Sequence, residues 1–154
     1  MDFSYSEEQQ MLQDSVQKFV ASQYDFETRC KVLEKEGGYD KANWELFAEL
    51  GWLTVPFREE DGGFSGSAVD LMVVMEEFGR GLVVEPFLAT AVLAGGLISA
   101  LGSDAQKSEL LATIMEGKAQ LATAYAEPDS RYNLASVKTT AVRQGEEFVL
   151  NGDK

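Results

Sequence analysis

Between Ser6 and Gly117 most segments repeat their apolar residues at helical spacing, and from Leu121 onward that periodicity gives way to β signals. A period near 3.6 commits a segment to an amphipathic helix, whereas β-branched and aromatic residues gathered around turn signals commit it to a strand. That switch restricts the chain to helices followed by strands, a mostly α layout with its β structure segregated at the end. At 154 residues, 45% of them hydrophobic, the length suits one domain, or one domain and the opening of another, with a sizeable core.

The first helix is predicted to start at Ser6, which caps it while Gln9 reaches back in a capping box, and to bury Met11, Leu12, Val16, Phe19 and Val20. A second, over 26–36, carries a thinner stripe of Phe26, Cys30 and Leu33 and stops at Gly37-Gly38. The segment 41–50 sets Trp44, Phe47, Ala48 and Leu50 on a short helix ended by Gly51. Trp52-Leu53-Thr54-Val55-Pro56 reads as extended, and Asp61-Gly62-Gly63 after it as a turn whose glycines allow backbone angles other residues resist. Ser67 caps a helix reaching Phe78, with Gly79 and Gly81 ending it. Pro86 opens a helix over 86–101 that is apolar almost all round, as for the centre of a bundle. Its Ala89, Ala91, Ala94, Gly95 and Gly96 suit either close packing or a slot between helices. Ser103 or Asp104 caps the last helix, which presents Leu110, Leu111 and Ile114 and closes at Gly117.

Beyond it, 122–126 reads as a strand stopped by Glu127-Pro128, since proline offers the ladder no amide. The runs 137–142 and 147–150 flank Gln144-Gly145, a two-residue hairpin turn. A further turn at Asn151-Gly152 predicts a strand just where the sequence stops at Lys154.

Several chemistries are set aside by composition. A net charge of −13 with no histidine leaves no basic stripe to displace phosphate counterions, so nucleic acid is not an expected partner. The single cysteine, Cys30, reads as a small core residue; it forms no internal disulfide and suits a reducing, cytoplasmic setting. No secretory signal is expected at the N-terminus, and the longest uncharged stretch, 87–103, is shorter than the roughly 20 apolar residues of a spanning helix. Without histidine there is no Ser-His-Asp or Cys-His set, and no metal cluster or phosphate-cradling loop is present. Glu7-Glu8, Glu59-Glu60 and Glu76-Glu77 are adjacent in sequence, and on a helix adjacent side chains point about 100° apart, so they read as solvated faces and not as an acid/base dyad. On residue chemistry alone the chain is not a self-sufficient enzyme.

A set of short motifs adds to this. Glu49-Leu50-Gly51-Trp52-Leu53, Val55-Pro56 and Glu60-Asp61-Gly62-Gly63 resemble the "ELGL…PEEYGG" stretch of the acyl-CoA dehydrogenase family. Glu76-Glu77-Phe78-Gly79-Arg80 resembles its "EELGR" helix end. Glu127-Pro128, Lys138-Thr139-Thr140-Ala141 and Leu150-Asn151-Gly152-Asp153-Lys154 resemble its "TEP…vxTxA…yxLNGxK" middle region. The matches follow the family's order and spacing across essentially the whole chain. Within the family, Met1-Asp2-Phe3 with Glu7-Glu8-Gln9, and Ser130-Arg131-Tyr132-Asn133-Leu134, are most similar to the small-subunit branch of the pimeloyl-CoA dehydrogenases.

The resemblance implies an N-terminal helical bundle over 1–118 and the first strands of a middle β-barrel domain over 119–154, with a C-terminal four-helix domain absent from this sequence. It implies α,β-dehydrogenation of an acyl-CoA thioester, with FAD as hydride acceptor and an electron-transferring flavoprotein as the next carrier. A homo-oligomer, or a hetero-oligomer with another dehydrogenase subunit, is implied as well. The family's carboxylate base lies in the C-terminal domain in most members, so no catalytic residue is assigned here.

For FAD, the family's "TEPxAGSD" turn presents backbone amides and a hydroxyl, which by position implies Tyr125, Ala126, Arg131 and Tyr132. Ala126 stands where threonine or serine is usual, and Arg131-Tyr132 replace glycine-serine, so backbone contacts can persist while a hydroxyl contact from position 126 cannot. Arg131 is either a bidentate donor to a pyrophosphate or a surface residue. The helix 86–101 is implied to line the acyl pocket through Phe87, Ala89, Thr90 and Leu93. A flavin-free structural subunit is the alternative that the departures at 126 and 131–132 motivate. A helical binding module complete at Lys154 is a third, opposed by the unpaired strand edge it would leave.

Overall fold

A computed structural model describes residues 4–154, so the Met1-Asp2-Phe3 part of the motif set lies outside the described residues. The described chain forms two compact units, one reaching Ala122 and the other Thr123–Lys154.

In the helical unit, Ser6 caps α1 (Glu7–Gln23): its hydroxyl accepts the Gln9 amide at 3.2 Å while the Gln9 side chain accepts the Ser6 amide at 3.1 Å. Val16 and Phe19 are buried and Leu12 and Val20 pack beside them, but Met11 is exposed. Asp25 caps α2 (Phe26–Leu33), which ends before the expected limit; a 3₁₀ turn, Glu36–Gly38, follows it. The expected stripe is also displaced, with Phe26 and Leu33 exposed and Val32 buried. Two helical turns hold too few apolar residues for the pattern to select a buried side. Helix α3 (Lys41–Glu49) buries Trp44 and Phe47 and stops at Gly51.

The segment after Gly51 departs from the extended reading. Trp52–Thr54 is a 3₁₀ turn, continued by Val55 N–H to Trp52 O at 3.4 Å and Phe57 N–H to Thr54 O at 3.1 Å. Winding allows Trp52, Leu53, Val55 and Phe57 all to be buried, whereas a strand sends neighbours to opposite faces. The loop then folds back, its Ser65 amide on Phe57 O at 2.7 Å and its Gly66 amide on Val55 O at 2.9 Å. Gly63 is required by this return: a Cβ there would lie 2.3 Å from the Phe57 carbonyl oxygen.

Ser67 forms a capping box with Asp70 at the start of α4 (Ala68–Gly81). The helix runs through Gly79, later than expected, and stops at Leu82, held left-handed at φ 51° with its carbonyl accepting Arg29 Nε at 2.8 Å. The helix expected over 86–101 is a π-helical stretch, Leu88–Ala94, leading into α5 (Gly95–Leu101). It is not central. Phe87, Thr90, Ala91 and Ala94 are buried, while Leu88, Leu93, Leu97 and Leu101 are exposed. On the inner side the small residues serve close packing, since a Cβ on Gly95 would meet the Phe57 ring at 2.5 Å. Ser103 caps α6 (Asp104–Met115), which buries Leu111 and Ile114. The core is an aromatic chain: Phe47 lies 5.2 Å from Phe19, 5.1 Å from Trp52 and 5.0 Å from Phe78, and Phe78 lies 5.4 Å from Phe87.

In the second unit, β1 (Thr140–Gln144) pairs antiparallel with β2 (Glu147–Asn151). Gln144 faces Glu147, so the loop is Gly145-Glu146, one residue later than expected, with glycine in its left-handed first position at φ 68°. The expected strand 122–126 has no ladder; the one sheet among the described residues joins β1 to β2. The strand expected from Val137 begins at Thr140 because the Lys138 and Thr139 amides are donated elsewhere, to Glu127.

Candidate functional site

Glu127 organises the second unit. The residue is 8% exposed. Oε2 accepts the Lys138 amide at 2.7 Å, and Oε1 accepts the Thr139 amide at 3.0 Å and the Lys154 ammonium at 2.9 Å. The Lys138 amide first, then the Thr139 amide and the Lys154 ammonium, hold its carboxyl down at about 2. Ser130 closes the turn on the same residue: its hydroxyl accepts the Glu127 amide at 3.2 Å and donates to the Glu127 carbonyl at 2.9 Å. In the sequence Glu127 stands only as part of a strand stop. The local signal for its role is a carboxylate beside a proline, 11 and 12 residues before amides that the β pattern of 137–142 would place in a ladder.

The four residues implied for FAD lie around this knot. Tyr125 and Ala126 precede it on an unpaired segment, and Arg131 and Tyr132 follow Ser130, all four exposed. Arg131 is left-handed at φ 48°. Among the described residues the amides of Ala126, Arg131 and Tyr132 donate to no protein acceptor, and Arg131 forms no ion pair. The Thr123 hydroxyl is buried without a partner. The segment therefore offers backbone donors with no protein acceptor, which suits a group rich in carbonyl and phosphate oxygens.

The residues implied for the acyl pocket divide between two sides of one helical segment. Phe87 and Thr90 face the core, and the Thr90 hydroxyl is occupied by Leu121, accepting its amide at 3.1 Å and donating to its carbonyl at 3.0 Å. Ala89 is half-buried and Leu93 faces outward. A groove of about 500 Å³ in this unit lies elsewhere, walled by Leu12, Leu50, Trp52 and Phe64.

Two further carboxylates are buried. The solvated reading holds for Glu76 but fails for Glu77, which is 1% exposed and accepts Arg80 at 2.8 Å and Gln13 at 3.2 Å, tying α1 to α4. Glu85 accepts the Tyr24 hydroxyl at 2.8 Å and Asn43 Nδ2 at 2.9 Å. Burial pushes the Tyr24 hydroxyl well above the ordinary phenol range, against the pull of the Val84 amide that it accepts at 3.0 Å. Among the described residues no group of histidine, cysteine or carboxylate side chains could hold a metal ion, and no helix is long and apolar enough to cross a membrane.

A family model described as acyl-CoA dehydrogenase, N-terminal domain, matches residues 6–118. The chain belongs to the acyl-CoA dehydrogenase family. It is 32% identical to acyl-CoA dehydrogenase FadE26 of Mycobacterium tuberculosis over 100% of this chain and 40% of that protein. In structure it resembles a chain of the ChsE4-ChsE5 complex from Mycobacterium tuberculosis, with a TM-score of 0.83 and 31% identity over 99% of this chain and 39% of the other. It is likewise similar to a chain of the Tcur3481-Tcur3483 steroid ACAD G363A variant, with a TM-score of 0.85 and 28% identity over 95% of this chain and 40% of that one. The sequence thus spans 40% of the length of FadE26. It holds the helical domain of an acyl-CoA dehydrogenase and the first strands of the β domain.

Proposed function

We propose that the chain is the N-terminal helical domain, over 1–118, and the opening of the middle β domain, over 119–154, of a cytoplasmic FAD-dependent acyl-CoA dehydrogenase that introduces an α,β double bond into an acyl-CoA thioester. The observation that carries this reading is the run of unpaired amides at Ala126, Arg131 and Tyr132 on exposed residues about the Glu127 knot, in a chain of this family. When bound, FAD supplies the hydride acceptor. The residues of this chain would bind and orient it: the Ala126 amide and the exposed Tyr125 backbone would serve the ring system, and the unpaired Arg131 guanidinium would serve the pyrophosphate as a bidentate donor. Ala89 and Leu93 border the acyl chain, with Phe87 and Thr90 fixing the segment from behind. An electron-transferring flavoprotein would take the reducing equivalents, and the base that removes the α-proton is not among these residues.

A second reading has its own observation. Position 126 carries no hydroxyl, and Arg131 occupies a left-handed position that suits glycine, as expected of a subunit that has lost its flavin and supports a partner. The two similar structures are each named as a pair of components, ChsE4-ChsE5 and Tcur3481-Tcur3483, which agrees with a hetero-oligomer.

The visible absorbance of the protein made from its complete gene separates the two, recorded before and after anaerobic addition of a medium-chain or dicarboxylic acyl-CoA. The dicarboxylic case is included for the narrower resemblance to pimeloyl-CoA dehydrogenases. A flavin band near roughly 450 nm that bleaches on addition supports the dehydrogenase reading. A colourless protein that co-purifies with a second dehydrogenase-like chain supports the structural subunit.

A further inference from the structure

We infer that Glu127 is a positioning residue for the cofactor: by accepting the Lys138 and Thr139 amides, its carboxylate imposes on 125–132 the backbone path that leaves the Ala126, Arg131 and Tyr132 amides free. The inference rests on the flavin reading above.

A segment that presents unpaired amides has to be held by something other than a ladder. Here 122–126 has no neighbouring strand, and β1 begins only at Thr140. The rigid link is the Glu127 side chain, which gives each oxygen a backbone donor and adds the ammonium of Lys154, three residues past the end of β2. A carboxylate accepts only, and three converging donors suit it in a way no neutral side chain matches. Ser130 locks the turn to the Glu127 backbone from the other side, its amide donating to the Glu127 carbonyl at 3.1 Å. The next residue, Arg131, is held at φ 48°, a conformation that a non-glycine side chain keeps only where its surroundings impose it. Glutamine at 127 would keep one acceptor oxygen and turn an NH₂ toward the other backbone amide, setting donor against donor.

The test uses the full-length protein from its complete gene, titrated with FAD as Glu127→Gln, as Lys154→Met and as Glu147→Gln. The last makes the same charge change on an exposed strand carboxylate. Glu127→Gln is expected to weaken FAD binding about tenfold, and Lys154→Met, which spares both amide bonds, about threefold. Both are expected to alter the visible circular dichroism of the bound flavin, which reports how the ring is seated and does not follow a loss of stability alone. Glu147→Gln is expected to leave both readouts at wild-type values. A folded Glu127→Gln protein that binds FAD within about twofold of wild type, with unchanged visible dichroism, overturns the inference. If that variant does not fold, Thr139→Pro, which removes one of the two donated amides, is measured in its place, and the same result for it overturns the inference. Wild-type protein that binds no FAD overturns the flavin reading itself, and the inference with it.

Discussion

Glu77 and Glu127 are both carboxylates removed from water, and each is held by different partners. Glu77 relies on charge, through Arg80 at 2.8 Å, and on the Gln13 amide at 3.2 Å. Replacing it with alanine leaves Gln13 without its acceptor and Arg80 with Glu76 alone, and should cost about 2 kcal/mol of folding free energy in urea denaturation. Glu127 relies chiefly on two backbone amides, so its carboxyl is lowered from 4.5 to about 2 in the folded protein. A depressed carboxyl contributes stability that is complete above its unfolded value and is lost as the pH falls through its folded value. The amide proton shifts of Lys138 and Thr139 should therefore hold steady down to pH 4.5 and titrate together with a midpoint of about 2. Neither burial was legible from the residues themselves. Adjacent glutamates look alike in sequence, and only the packing of α1 against α4 distinguishes Glu77 from Glu76.

At the scale of elements, starts were easier to read than stops. Ser6, Ser67 and Ser103 each carry their own acceptor for the first free amides, so the capping boxes follow from local sequence. The end of α4 does not. The helix passes Gly79 and stops at Leu82, whose carbonyl is held by Arg29 from 53 residues upstream. Leu82 is bulky, 57% exposed and left-handed at φ 51°. Leu82→Gly should then stabilise the helical unit by about 1 kcal/mol, seen as a higher urea midpoint with an unchanged slope. The 3₁₀ turn at Trp52–Thr54 and the late start of β1 share one cause: both depend on where residues distant in sequence demand burial or an amide.

For the molecule as a whole, stability resides in the aromatic chain that joins α1, α3, α4 and the start of the π-helical stretch. Phe47 touches three other aromatic rings at 5.0 to 5.2 Å and is fully buried. Phe47→Ala should cost about 3–5 kcal/mol, measured by chemical denaturation of the full-length protein. The hairpin presents the opposite case, since every residue of β1 and β2 is exposed in this chain. Val142→Ala should fall within about 0.5 kcal/mol of wild type in a denaturation experiment on this chain alone.

Local sequence was enough for the order of helices before strands, the capped helix starts, the terminators at Gly51 and Gly117, and the pairing of the two strands around a glycine turn. All of these depend on periodicity, capping hydroxyls and backbone freedom within a few residues of one another. The motif set was enough for the family. Tertiary structure alone decided which side of α2 is buried, that 52–57 winds instead of extending, that the 86–101 segment is exposed on one face, and that Glu127 gathers two amides and a lysine. Each of these is settled by groups far apart along the chain that compete for the same space or the same hydrogen bond, and local pattern carries no record of that competition.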